Sequence, residues 1–251
     1  MLTSTSFAVI YPWCFFMEIK DPLKNNFHHF HIGLPAIVSS MVTIYLFLSS
    51  YPDSIKMSAL WWTVLLMATA ACSWKKENVN LNLIFISSAI GLWAYNKIFS
   101  HTVHMTGEPF MISILAAAIF CAALYAMNLG HWYLNVHGLP IQYLRKATLI
   151  FVLLLLARLI WDAYLIIEGH VFYGGEDIKL LSFLFKADGF FLILAIFFGT
   201  LFPLISSRFV LETIRHKNTQ SATGMLYVVL CGVIMGDLIY KYYMIKYGVG
   251  L

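Results

Sequence analysis

Seven long apolar stretches occupy most of this chain of 251 residues, and they constrain its fold more than any other feature. A transmembrane helix needs about 20 predominantly apolar residues to cross the hydrocarbon core of a bilayer. Because lipid cannot satisfy backbone hydrogen bonds, runs as continuous as these can span a membrane only as helices. The sequence therefore predicts an all-α integral membrane bundle of seven transmembrane helices. We predict the spans at His28–Ser50, Met57–Trp74, Val79–Ser100, Pro109–Leu129, Ala147–Glu168, Leu180–Leu204 and Ala222–Ile245.

Composition agrees with a chain that lies largely in lipid. Hydrophobic residues make up 61% and charged residues 11% of it, whereas a soluble domain carries about 25% charged residues. No polar segment is long enough for a separate soluble domain, so we expect a single transmembrane domain, 1–251, with the bundle at 28–251. Residues 1–27 form an N-terminal segment whose apolar part, Phe7–Met17, is too short to span. We expect this segment to lie along the membrane interface.

Lysines and arginines near the span ends and in the connections are distributed unequally between the two sides of the membrane. One side carries Lys20, Lys24, Lys75, Lys76, Arg145, Lys146, Arg208, Arg215 and Lys217. The other side carries Lys56, Lys97, Lys179, Lys241 and Lys246. The positive-inside rule then favours a cytoplasmic N-terminus and an external C-terminus. The formal charge of +4 is explained by these clusters at span ends, and it does not indicate nucleic-acid binding.

Ionisable side chains within membrane spans are costly and indicate a functional site by default. The last three spans each carry a pair of oppositely charged residues toward the predicted outer face. These are Arg158 and Asp162, Lys186 and Asp188, and Asp237 and Lys241. The first and third pairs have i,i+4 spacing, which places both charges on one helix face. We expect the six residues to form a polar pocket or a proton or ion pathway, and the alternative is a set of salt bridges that only fix packing.

The nine histidines lie close to the predicted ends of the spans. At the inner side are His28, His29, His31, His131, His137 and His216, and at the outer side are His101, His104 and His170. Haem ligation by two histidines requires imidazoles from facing helices at matched depth. His131 with His28 or His31 meets this condition, and so does His170 with His101 or His104. These six are candidate ligands for haem b or hydrogen-bond partners for a quinone, although histidine also occurs at membrane interfaces without any ligand.

A metal ion is the weaker interpretation of these residues. His101-x-x-His104 would need a third ligand, such as Glu108 or His170. The four cysteines are widely separated and include no C-x-x-C, so they indicate neither a metal ribbon nor a redox pair.

The last span carries two further features. Gly232-x-x-x-Gly236 predicts close approach of a neighbouring helix. Tyr240–Tyr243 at its other end is typical of the aromatic belt at a membrane interface. We expect Gln220 or Ser221 to cap its N-terminus.

Two stretches are more distinctive than these spacings. Asn128–Leu134 reads N-L-G-H-W-Y-L, and Asn218–Tyr227 reads N-T-Q-S-A-T-G-M-L-Y. They resemble the G-H-W-Y-L and T-Q-S-A-T-G-x-L-Y stretches of a group of bacterial seven-helix membrane proteins of unassigned function. The resemblance implies seven helices and a bacterial inner (cytoplasmic) membrane. In architecture alone, the chain is also similar to quinone-binding membrane anchors of respiratory oxidoreductases, such as the polysulfide reductase (NrfD-type) subunits.

We therefore expect an integral membrane subunit of a respiratory electron-transfer complex, accessory to an oxidoreductase rather than catalytic. Its partners would be membrane lipid and other subunits. Asp162, Asp188 and Asp237 would carry protons, and Arg158 and Lys241 would influence their protonation. His131 would ligate haem or contact a quinone.

Two alternatives stay open. The first is a structural or assembly subunit without a cofactor. The second is a proton-coupled secondary transporter, for which Lys186–Gly189 and Pro203 are the candidate breaks in the sixth helix. The sequence carries neither H-E-x-x-H nor G-x-S-x-G, the motifs of common hydrolases.

Overall fold

A computed structural model describes residues 1–16, 27–74, 80–105, 107–136 and 138–250. Predictions that concern Met17, Lys20, Lys24, Lys75, Lys76, Val79 and His137 lie outside these residues. The chain divides into two compact units, Met1–His104 and Met105–Leu251. The single-domain organisation stays a prediction.

Seven helices of the described chain are long and apolar enough to cross a membrane, which confirms the predicted all-α, multi-pass fold. They are α2 (Phe27–Leu48), α3 (Asp53–Trp74), α4 (Leu81–Val103), α5 (Glu108–Asn135), α6 (Gln142–Glu168), the composite span Ala187–Arg215 and α10 (Thr219–Tyr247). Large apolar side chains remain exposed along them, among them Leu153 and Ile160 on α6. Such a surface is stable in contact with lipid and not in water.

The first unit packs α2, α3 and α4 in sequence, and a short N-terminal helix, α1 (Leu2–Ile10), lies against α2 and α4. A 3₁₀ turn, Tyr11–Phe16, follows α1. Phe7, Ala8 and Val9 are buried, so this segment is part of the core of its unit.

The sixth span differs from its prediction at both ends. Leu180–Leu184 forms a separate short helix, α7, whose Leu180 and Phe183 are buried against neighbouring side chains of the second unit. The predicted bounds Leu180–Leu204 are therefore wrong, because Leu180–Leu184 forms a separate helix and the span covers Ala187–Arg215. The composite span consists of a 3₁₀ turn Ala187–Gly189, α8 (Phe190–Ile196), a π-helical segment Phe197–Leu201 and α9 (Phe202–Arg215). Its more polar last turns extend past the apolar run.

A two-stranded antiparallel hairpin follows α6. Strand β1 (His170–Tyr173) pairs with β2 (Glu176–Lys179), and Tyr173 lies opposite Glu176. Gly174 and Gly175 form the two-residue turn with φ of 65° and 91°, values that are typical of glycine in a tight hairpin. The two strands are too short to show an alternating pattern in the sequence.

Helix α10 packs against α5 and α9 in the second unit. A Cβ atom on Gly236 would lie 2.2 Å from Gly199 Cα, so the two backbones are in direct contact. A Cβ atom on Gly232 would lie 2.9 Å from the Phe198 carbonyl oxygen. The predicted close approach at Gly232-x-x-x-Gly236 is confirmed.

The N-terminal cap of α10 is Asn218, whose side chain accepts a hydrogen bond of 3.0 Å from the Ser221 backbone nitrogen. The predicted caps, Gln220 and Ser221, are wrong because the helix begins before the apolar run does.

The Gly236–Gly199 contact predicts a specific sensitivity to side-chain volume. Gly236→Ala is expected to lower the free energy of unfolding by about 1–3 kcal/mol, as overpacking a tight interface does. Gly224→Ala on the same helix is the matched control, because a Cβ atom there meets nothing within 4 Å. The free energies of unfolding of both purified variants are measured in mixed detergent, with circular dichroism as the signal. Equal stability of the two variants would contradict the contact.

Candidate functional site

The Arg158–Asp162 pair is the centre of the candidate site. Both residues lie one helical turn apart on α6, and the Nε atom of Arg158 donates a hydrogen bond of 2.8 Å to Oδ1 of Asp162. Their side chains are 2% and 1% exposed. A fully buried ion pair must be compensated by further hydrogen bonds, because both charges have lost their solvation.

Those hydrogen bonds come from two other helices. Oδ2 of Asp162 accepts from the Thr200 hydroxyl at 2.9 Å and from the Tyr240 hydroxyl at 3.1 Å. The two hydroxyl oxygens are themselves 3.1 Å apart. One carboxylate therefore connects α6, the π-helical segment of the sixth span and α10.

Tyr240 also contacts the positive partner. The guanidinium carbon of Arg158 lies 4.0 Å from the centre of the Tyr240 ring, in a cation–π arrangement. Of the guanidinium nitrogens, Nη2 is buried and has no hydrogen-bond partner among the residues that the structure describes.

A second buried pair lies on α10. Nζ of Lys241 is 2.8 Å from both carboxylate oxygens of Asp237, and each residue is 4% exposed. Two of the three predicted charge pairs thus form buried i,i+4 ion pairs, as their spacing indicates.

The two pairs meet at a small pocket. Its lining comes from α5, α6, the sixth span and α10, and consists of Ala116, Ile119, Arg158, Gly199, Val233, Asp237 and Tyr240. The space open to the centre of a water molecule is about 10 Å³. Arg158 and Asp237, which belong to different pairs, therefore share one site.

The local backbone explains why Thr200 reaches Asp162. It lies in the π-helical segment, next to Gly199, where the backbone contacts Gly236 of α10. Single-turn π-helical segments interrupt the regular helix and occur frequently at functional sites. The close glycine contact brings Thr200 and Tyr240 to the same carboxylate oxygen.

Sequence reasoning missed Thr200 and Tyr240. Tyr240 is buried at 4%, so its assignment to an aromatic belt at the interface is wrong. Its spacing of three residues from Asp237 could have indicated a shared helix face. No local signal identifies Thr200, since its role depends on the packing of three helices.

Lys186 and Asp188 do not join the buried pairs. Both are exposed, and Lys186 precedes the sixth span. Asp188 accepts a hydrogen bond of 2.9 Å from the Tyr173 hydroxyl of β1, and this carboxylate raises the pKa of Tyr173 above its usual value. The expectation of one six-residue cluster is corrected to four buried residues and two exposed ones, because the apolar residues before Lys186 fold into α7.

The three histidines of α2 occupy different environments. His31 is 1% exposed, and its Nδ1 lies 2.6 Å from the Tyr11 hydroxyl. A hydrogen bond at one ring nitrogen orients an imidazole, as it does in many metal-ligating histidines. His28 and His29 are half-buried, and the ring of His29 stacks on Trp74 at 4.4 Å.

The other candidate histidines are exposed. His131 lies in the last turns of α5 and His170 in β1. His101 and His104 have ring centres 6.4 Å apart, and α4 ends between them at Val103. Each predicted haem pair joins the first unit to the second, so both pairings stay predictions. Among the described residues, no three His, Cys, Asp or Glu side chains form a group that could hold a metal ion.

Comparison of the chain with protein-family models, with curated proteins and with solved structures finds no match.

Asp162→Ala is expected to lower the free energy of unfolding by about 3–5 kcal/mol, because it leaves the Arg158 charge buried without its partner. The double variant Arg158→Leu/Asp162→Leu removes both charges and is expected to lose less. The free energies of unfolding of the single and double variants are measured in mixed detergent. Asp53→Ala is the control, since that carboxylate is 97% exposed. A double variant less stable than Asp162→Ala would contradict the interpretation.

Proposed function

We propose that this chain is an integral membrane subunit of a respiratory electron-transfer complex in which the buried carboxylates of the second unit carry protons. Haem b or a quinone would carry the electrons, and the catalytic reaction would belong to partner chains. We place the protein in the bacterial inner membrane, with a cytoplasmic N-terminus and an external C-terminus.

The observation that carries the proposal is the network around Asp162. Arg158, Asp162, Asp237 and Lys241 are buried within membrane spans, and the two aspartates are acids that could accept and release a proton. A packing role alone does not require them, because well-packed apolar residues usually stabilise a core as well as a buried ion pair does. Buried acids with hydroxyl neighbours are typical of intramembrane proton relays.

Asp188 supports a role near the surface in the same proposal. It is exposed and hydrogen-bonded to Tyr173, and its backbone carbonyl accepts from the Tyr243 hydroxyl of α10. In the proposed orientation it lies at the outer side, where a carboxylate exchanges protons with water.

Electron transfer is supported by the histidines. His31 is buried and oriented by Tyr11, which suits an axial ligand of haem or a hydrogen-bond donor to a quinone carbonyl. His131 at the same predicted side is the candidate second ligand.

A proton-coupled transporter is the second candidate, and the π-helical segment favours it. Transporters place their binding sites at breaks in transmembrane helices. The break at Phe197–Leu201 contains Thr200, which donates to Asp162. The predicted breaks at Lys186–Gly189 and Pro203 flank this segment.

Proton transfer predicts a functional loss that is separate from stability. In liposomes that contain the protein, a potassium diffusion potential is expected to drive proton flux, which an internal pH-sensitive dye reports. Asp162→Asn and Asp237→Asn are expected to lower this flux at least about tenfold, because an amide cannot release the proton that a carboxylate carries. Asp53→Asn, an exposed acid in α3, is the control. Unchanged flux in both buried variants would exclude the proton role.

The redox proposal predicts a cofactor in protein isolated gently from its native membranes. A dithionite-reduced minus oxidised spectrum is expected to show a b-type α-band at about one or two haems per chain, or solvent extraction is expected to recover bound quinone. His31→Ala and His131→Ala should remove the haem band, whereas His216→Ala, an exposed histidine, should not. Proton flux without haem or quinone would favour the transporter instead.

A further inference from the structure

The pocket between the two ion pairs contains an unsatisfied donor. Arg158 is 2% exposed. Its Nε atom donates a hydrogen bond to Asp162, and its guanidinium group contacts the ring of Tyr240. Its Nη2 atom has no hydrogen-bond partner among the described residues. A buried charged donor without an acceptor bears the full cost of its lost hydration. A group that accepts a hydrogen bond in this pocket would remove that cost.

We infer that the pocket binds one water molecule, which accepts a hydrogen bond from Nη2 of Arg158 and donates one to the Asp237 carboxylate. The bridge joins the two ion pairs into one network from Lys241 to Thr200. Each ion pair by itself lies within a single helix, the first in α6 and the second in α10.

The size of the pocket fits a single water. The space of about 10 Å³ is close to the minimum of about 10–15 Å³ that one buried water requires. A water also needs two or more polar partners to remain in a buried site. Arg158, Asp237 and Tyr240 all line the pocket and carry polar atoms.

Charge determines which ligand the pocket takes. The guanidinium of Arg158 on one wall disfavours a cation, and the carboxylate of Asp237 on another wall disfavours an anion. Both ion pairs are internally neutral, so a charged guest would be an uncompensated charge within the membrane spans. A neutral molecule that both donates and accepts hydrogen bonds satisfies both walls.

This inference deepens the proposed function and, for its proton role, rests on it. A guanidinium does not release its proton under ordinary conditions. The water is then the group beside Arg158 that can exchange a proton with Asp237.

The test is a structure of the full chain in lipid nanodiscs at a resolution that resolves ordered water. The wild-type map is expected to contain a peak within hydrogen-bond distance of Nη2 of Arg158 and a carboxylate oxygen of Asp237. Ala116→Val adds two methyl groups to the pocket wall and is expected to abolish the peak. Ala118→Val, two residues along α5 and outside the lining, adds the same volume and should leave the peak in place.

Every outcome bears on the inference. A wild-type map that resolves other buried waters but not this one overturns it, and so does a peak that persists in Ala116→Val. Where Ala116→Val does not fold, Val233→Ile fills the same pocket from α10. Proton flux separates this inference from the proposed function. A wild-type peak with unchanged proton flux in Asp162→Asn and Asp237→Asn supports the water and excludes the proton role. No wild-type peak with lowered flux in these variants excludes the water and leaves the proton role.

Discussion

The free-energy cost of burying charged side chains within a membrane determines how the helices of the second unit pack around Arg158 and Asp162. Arg158 and Asp162 neutralise each other within one helix turn, but a paired carboxylate still has oxygen lone pairs that lipid cannot satisfy. Two hydroxyl groups from other helices meet that need. The arrangement of three helices therefore follows from the hydrogen-bonding requirement of one buried side chain.

Close backbone packing makes this arrangement possible. Without side chains at Gly199 and Gly236, the sixth span and α10 come into direct contact. Their contact brings Thr200 and Tyr240 within 3.1 Å of each other. The π-helical turn that contains Thr200 changes the direction in which its side chain points, since each such turn shifts the following residues around the helix. Small residues and a local break in one helix thus position polar groups that lie far apart in the sequence.

The first unit follows a different pattern. Its described residues include buried hydrogen bonds between uncharged groups, such as the 2.7 Å bond that joins Thr43 of α2 to Thr63 of α3. His31 in this unit is a buried ionisable side chain, and its Nδ1 atom lies within hydrogen-bond distance of the Tyr11 hydroxyl. Proton transfer is accordingly proposed for the second unit, and the proposed cofactor ligands include His31 of the first.

The sequence by itself determined that the chain lies in lipid, how many times it crosses the membrane, and which residues form the two buried ion pairs. Apolar length measures whether a helix can cross lipid, and i,i+4 spacing places two charges on one face, so both follow from local order along the chain. Tertiary structure alone decided which apolar runs face lipid. It removed Leu180–Leu184 from the sixth span and left Lys186 and Asp188 exposed. It also brought Thr200 and Tyr240 to Asp162 and joined both pairs at one pocket, because contacts between helices depend on their packing and not on residue spacing within any one of them.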